Sequence, residues 1–290
     1  MHDIPDVTSP RVLRELLELR GLAPHRQWGQ NFLIDANIAK KIVAAIEAET
    51  GDAVIEVGPG AGALTALLAR SGAEVVALEI DRGLVALLED LLEPFVNVKV
   101  LNHDALAVCW KDLMAAHFRA SHRVRLVSNL PYVISGPFMY SLFREGFPFA
   151  AAVLMLQKEV AFRLVAKPGG NDYGALSVLS AYYCHGEVLF SVGENVFWPK
   201  PKVGSAVLRL IPRVRLLPEK LENHFSLMVQ GLFRQRRKTI FNNMIAYFGF
   251  DRHLAQSLLE EAEIEISDRP ERLSVEQFAL LARITYNYSK

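Results

Sequence analysis

The chain of 290 residues is 51% hydrophobic and 22% charged, with 32 basic and 32 acidic side chains and no net charge. That mixture excludes a disordered chain, and 18 glycines and 14 prolines exclude collagen-like and low-complexity classes. The length accommodates two domains or one large one.

Ser9-Pro10 followed by Leu13, Leu16 and Leu17 predicts a capped amphipathic helix with proline at its first position. Asp35 opens a second, with Ile38, Ile42, Val43 and Ile46 on one stripe. Short apolar runs then alternate with helical stretches. Strands are expected at 53–57, 75–78, 98–101, 125–127, 153–156, 188–192 and 206–211, and helices such as 64–69, 84–92 and 137–143 fill most of the gaps. This alternation implies an α/β fold, a Rossmann-like, mostly parallel sheet covered on both faces. The last two runs are joined by a short proline-rich link, 197–202, too short for a parallel crossover, so the last strand should run antiparallel. After Pro212 the strands stop. Helical patterns at 225–233, 240–248, 254–262 and 275–284 predict a smaller all-helical domain. The expected division is 1–212, with N-terminal helices over 9–48, and 213–290.

Charge is unevenly spread. Residues 1–198 hold 17 basic and 22 acidic side chains, 199–252 hold 11 and 3, and 253–290 hold 4 and 7. A basic block in a neutral chain points to a localised polyanion contact, or else to a solvated helix face. Arg234, Arg236, Arg237 and Lys238 lie at its centre, in a stretch where Leu232, Phe233, Ile240 and Phe241 supply an apolar side.

The clearest motif is Val54-Ile55-Glu56-Val57-Gly58-Pro59-Gly60-Ala61-Gly62, after a strand and opening a helix. Its glycines allow a tight turn and close approach of a ligand to the backbone, a pattern shared with dinucleotide sites. Charge separates the ligands. Glu56 ends the strand at the mouth of the loop, where a pyrophosphate would meet a carboxylate. S-adenosylmethionine has no phosphate, and its ammonium and sulfonium are positive. Glu79 ends the next strand, where an acid binds a ribose diol. Asp104 follows the third, placed to accept from an adenine amino group. Three acids at three consecutive strand ends point to S-adenosylmethionine as the cofactor, not a nicotinamide.

Asn129-Leu130-Pro131-Tyr132 follows the fourth strand at the same sheet edge. An exocyclic amine is a poor nucleophile because its lone pair is delocalised into the ring. The Asn129 amide oxygen and the Leu130 carbonyl can each accept one N–H and draw the nitrogen toward tetrahedral geometry. Pro131 fixes the loop, and Tyr132 offers a ring for base stacking.

Two cysteines, Cys109 and Cys184, form neither a disulfide framework nor a zinc cluster, and the eight histidines show no ligand grouping, so no metal is expected. Residues 1–6 are acidic, without the apolar core of a targeting peptide, and no apolar run approaches a membrane span. The expectation is a cytoplasmic protein without membrane contact. A monomer is the default reading, since no exposed heptad seam is evident.

The chain resembles the ribosomal RNA adenine dimethyltransferases, specifically the bacterial small-subunit, kasugamycin-sensitivity type. The similarity covers nearly the whole length. It is carried by Gly29-Gln30-Asn31-Phe32-Leu33, the glycine loop, the Asn129 tetrapeptide, Met155-Leu156-Gln157-Lys158-Glu159-Val160, Asp172-Tyr173-Gly174, Phe197-Trp198-Pro199-Lys200-Pro201-Lys202-Val203 and Phe233-Arg234-Gln235-Arg236-Arg237-Lys238. The resemblance implies cofactor contacts at Asn31, Leu33, Gly58, Glu79, Asp104 and Asn129. It also implies that Phe197 closes the target base against Tyr132, and that the 234–238 block grips RNA. The chain departs from the family pattern at Val133, Gly136, Phe162 and Ala175. The implied activity is N6-dimethylation of two adjacent adenines in small-subunit ribosomal RNA, within an immature small subunit. The alternatives are a large-subunit adenine methyltransferase of the macrolide-resistance type, or an assembly factor whose binding matters more than methylation.

Overall fold

The computed structural model describes residues 4–288 other than 49, 121 and 236. They divide into two compact units. The first runs through Ala161 and resumes over Glu187–Pro212; the second takes Phe162–Gly186 and the chain from Arg213 onward. One break falls after Pro212; the segment 162–186, which the expected division gave to the first domain, groups with the second unit.

In the first unit, α1 (Pro10–Leu19) starts on proline. β1 (Phe32–Leu33) leads into α2 (Ala36–Ile46), whose Asp35 carboxylate caps the N–H groups of Asn37 and Ile38. There follow β2 (Ala53–Val57), α3 (Thr65–Ser71), β3 (Glu74–Glu79), α4 (Arg82–Leu92), β4 (Val98–Asn102), α5 (Trp110–His117), β5 (Val124–Asn129), α6 (Ser135–Arg144), β6 (Ala151–Gln157) and α7 (Lys158–Leu164), whose residues from Phe162 onward belong to the second unit. Beyond α8 (Ala175–Tyr183) come β7 (Cys184–Val192), β8 (Phe197–Trp198) and β9 (Ser205–Pro212).

Seven strands form one sheet in the order β4-β3-β2-β5-β6-β9-β7. The pairs from β4 through β6 are parallel, and β9 runs antiparallel to β6. The residues of β2 are buried throughout, as expected of a strand covered on both faces. One core cluster joins Ile42 and Ile46 of α2 and Leu68 of α3 to Val54, Val75, Val127, Val153 and Val207 of the sheet. Strand order reverses between β2 and β5, so the chain diverges on either side of that gap. Ligands of open parallel sheets bind at such a point, beyond the carboxyl ends of the strands.

The second unit is helical: α8 with α9 (Glu219–Leu232), α10 (Ile240–Phe248), α11 (Arg252–Glu261) and α12 (Val275–Thr285). Tyr182 of α8 lies 4.2 Å from the Phe225 ring of α9, and the Tyr173 hydroxyl donates to the Leu273 carbonyl at 2.8 Å. These contacts bind 162–186 into the helical unit. Among the described residues no helix is long and apolar enough to cross a membrane.

Candidate active site

The glycine loop leaves β2 at the switch point. Gly58, Gly60 and Gly62 all have positive φ, and a Cβ on Gly60 would meet the Phe32 ring at 3.1 Å. At this loop the backbone must be bare. A Cβ on Gly58 would lie 3.4 Å from Pro131, so the glycine loop and the tetrapeptide loop are in contact. The Ser128 hydroxyl donates to the Val57 carbonyl at 2.6 Å and ties the two strand ends together.

One pocket is lined by Gly58, Gly60, Glu56, Glu79 and Asp104, by Asn31 and Leu33, and by the whole tetrapeptide from Asn129 to Tyr132. Glu56 is 1% exposed and its Oε2 has no hydrogen-bond partner among the described residues. Burial pushes its carboxyl up to about 8; the Thr65 hydroxyl pulls the other way, and the charge of Glu79 adds to the rise. Glu79 accepts from Gly60 N–H at 3.2 Å and from Asp81 N–H at 3.0 Å, and burial still raises it to about 6. Asp104 is exposed at the rim, with one oxygen accepting from Leu106 N–H at 2.9 Å. Buried carboxylates with an unmatched oxygen fit a cationic, phosphate-free cofactor and oppose a pyrophosphate. S-adenosylmethionine fits this donor set.

Asn129 is the last residue of β5. Its amide nitrogen donates to the Asn31 carbonyl at 3.1 Å, which fixes the side-chain orientation and leaves Oδ1 as the acceptor. The Leu130 N–H is committed to the Met155 carbonyl at 3.1 Å. The Pro131 carbonyl receives Ile134 N–H at 3.1 Å and the Ser135 hydroxyl at 3.2 Å, which holds the loop rigid. Tyr132 is half-buried, its hydroxyl 2.6 Å from that of the fully buried Ser205. Burial raises the Tyr132 phenol above its ordinary value, so the phenol stays neutral.

The N-terminal motif reaches this pocket through a two-stranded ribbon. β1 pairs antiparallel with β8, Leu33 opposite Phe197 and Phe32 opposite Trp198. Phe197 itself departs from expectation. It is 3% exposed, packed in the core cluster with Leu33 and Val207, and does not line the pocket with Tyr132. Strand pairing with β1 turns it inward, so in this structure it packs rather than clamps.

The basic block also differs from expectation. Arg234, Arg237 and Lys238 are exposed, but they occupy a turn between α9 and α10, not a helix; Arg236 lies outside the described residues. The buried Asn243 amide holds this turn by donating to the Gln235 and Lys238 carbonyls, each at 3.4 Å, and the Thr239 hydroxyl caps the next helix. Arg234 lies over the Tyr247 ring, 5.2 Å from its centre.

Two further groups that hold pocket residues in place escaped the sequence reading: Ser205, which touches Tyr132 and carries no motif, and Asp81, which touches Glu79 and whose signal is an N-cap acid two residues past it.

The strand order and the acid-lined switch-point pocket define a class I, S-adenosylmethionine-dependent methyltransferase. The chain belongs to the ribosomal RNA adenine dimethylase family, whose model matches residues 21–286. Among curated proteins it is 42% identical to ribosomal RNA small subunit methyltransferase A of Ligilactobacillus salivarius, over 97% of this chain and 96% of that one. It is also 42% identical to the protein of that name from Pelotomaculum thermopropionicum, over 95% and 96%. Among solved structures, a dimethyladenosine transferase from Plasmodium falciparum shares the fold, with TM-score 0.75, 24% identity and coverage of 88% and 98%. The 23S rRNA methyltransferase ErmE gives 0.64, 25%, 88% and 99%.

Proposed function

We propose that this enzyme transfers two methyl groups in turn from S-adenosylmethionine to the N6 of each of two adjacent adenines in a small-subunit ribosomal RNA hairpin. The observation that carries this reading is the single pocket that joins three strand-end acids to the Asn129 tetrapeptide. When bound, S-adenosylmethionine supplies an electrophilic methyl group on a sulfonium that leaves as a neutral thioether.

The chain's own residues do the rest. Glu79 accepts from the ribose diol and Asp104 from the adenine amino group of the cofactor. Asn31, Leu33, Gly58 and Asn129 line its path. The Asn129 Oδ1 and the Leu130 carbonyl accept the two N–H bonds of the target amine and hold its lone pair out of the ring. Tyr132 supplies the stacking face, worth roughly 1–3 kcal/mol for one base. No strong general base is needed, because the amine proton becomes acidic as the new N–C bond forms and passes to water. Target adenines are looped out of the RNA to reach the site. Arg234, Arg236, Arg237 and Lys238 provide cations for the phosphates of structured RNA.

The small-subunit target is supported by the names of the relatives at 42% identity. The enzyme acts as a monomer in the cytoplasm on immature small subunits. The test is incubation with methyl-tritiated cofactor and either immature small subunits or large-subunit RNA. Label in two adjacent small-subunit adenines supports the proposal. Label in large-subunit RNA moves the target, and binding without label leaves an assembly factor.

A further inference from the structure

Residues 27–31 form one wall of the pocket, and the segment 25–31 is tied down at both ends. At the catalytic end Asn129 donates to the Asn31 carbonyl. At the cofactor end Gln30 is the connector. Its Oε1 accepts from the His25 N–H at 2.7 Å, and its Nε2 lies 3.5 Å from Asp81 Oδ2. His25 Nε2 is 3.7 Å from the same oxygen.

Asp81 is a hub. It is 7% exposed; its Oδ1 caps α4 through the N–H groups of Gly83 and Leu84, and its own N–H donates to Glu79. The wall 25–31 is thus fastened to the turn that also orients the ribose-binding acid. No step of methyl transfer uses the Gln30 side chain.

We propose that Gln30 is the latch of a strap, residues 25–31, which must lift for the cofactor to exchange between successive methyl transfers, and that the Gln30–Asp81 contact sets the rate of lifting. Gln30 and Asp81 are then positioning residues that act through the strap and through Glu79. The inference rests on the proposed dimethylation, since each adenine consumes two cofactor molecules and the spent one must leave after the first transfer.

The test is the dissociation rate of methyl-tritiated S-adenosylmethionine, chased with unlabelled cofactor in the absence of RNA, so the identity of the RNA target does not enter. Gln30→Glu keeps the acceptor for His25 but sets a carboxylate against Asp81. It should speed dissociation about five- to tenfold, the loss of one hydrogen bond. Adding Asp81→Asn returns a donor to the pair while keeping the α4 cap and the main-chain bond to Glu79. The double variant should come back to within about twofold of wild type. Gln30→Leu, which has no polar head, should show the same acceleration and no rescue by Asp81→Asn, and it serves if Gln30→Glu does not fold. A wild-type rate in Gln30→Glu and Gln30→Leu, or a double variant no slower than Gln30→Glu alone, would overturn the latch. Wild-type protein that retains no label would overturn the cofactor reading and the latch with it.

Discussion

Glu79, at the end of β3, accepts a hydrogen bond from the main-chain N–H of Gly60, 3.2 Å away in the glycine loop beyond β2. The acid proposed to bind the ribose therefore also holds the glycine loop at the pocket. Glu79→Ala should weaken S-adenosylmethionine binding by roughly 1–3 kcal/mol while the sheet stays folded. Calorimetry alongside a thermal melt checks this. Unchanged affinity in a folded variant would refute the ribose assignment.

The two buried acids give the site a pH dependence. Burial lifts Glu56 from 4.5 to about 8 and Glu79 from 4.5 to about 6, so the folded chain holds more protons than the unfolded one across that window. Stability of the free protein should fall as pH rises from 4.5 toward 8 and level off above. A cationic ligand favours the ionised carboxylates instead. Binding at pH 7 should release roughly one proton, chiefly from Glu56, and affinity should rise from pH 6 to 8. Calorimetry in two buffers of different ionisation enthalpy counts the protons; uptake, or no exchange, contradicts this account.

Tyr132 has two separable parts. Tyr132→Phe deletes the hydroxyl and leaves the buried Ser205 hydroxyl unmatched, at a cost of about 1–3 kcal/mol of stability. Its ring remains, so methylation should persist within a few-fold. Tyr132→Ala removes the stacking face and should raise the KM for RNA by about tenfold or more. Denaturant melts and steady-state kinetics on both variants distinguish the two roles.

Replacing Arg234, Arg236, Arg237 and Lys238 by alanine should lower RNA affinity and flatten its dependence on salt, because fewer counterions are released. Cofactor affinity should not follow. A salt slope equal to that of wild type would make this turn a solvated surface.

The sheet was legible because short apolar runs alternate with helical stretches from 53 through 192, and 53–57 emerges with the bounds of β2 itself. The strand-end acids were legible for the same reason: once the strands are placed, Glu56, Glu79, Asp104 and Asn129 fall at one edge. What escaped depends on partners far along the chain. The strands β1 and β8 have two residues each, too short for any periodicity, and only their pairing shows why Phe197 is buried. The segment 162–186 reads as more of the α/β pattern until Tyr182 is seen against Phe225. The basic residues lie beside helical runs, but the turn that carries them is set by Asn243, which no local pattern singles out.

The proposed methyl transfer depends on the Asn129 amide oxygen, held in place by the bond from its nitrogen to the Asn31 carbonyl. Asn129→Ala deletes that acceptor and leaves only the Leu130 carbonyl. Asn129→Asp would set a carboxylate oxygen against the Asn31 carbonyl, so it should also misplace the amine. The direct measurement is the single-turnover rate of methyl transfer at saturating cofactor and RNA. For Asn129→Ala this rate should fall on the order of 10²–10³-fold with RNA affinity nearly unchanged, as for other hydrogen bonds made chiefly in the transition state. A wild-type rate would mean that the tetrapeptide is only a turn, and would contradict the mechanism.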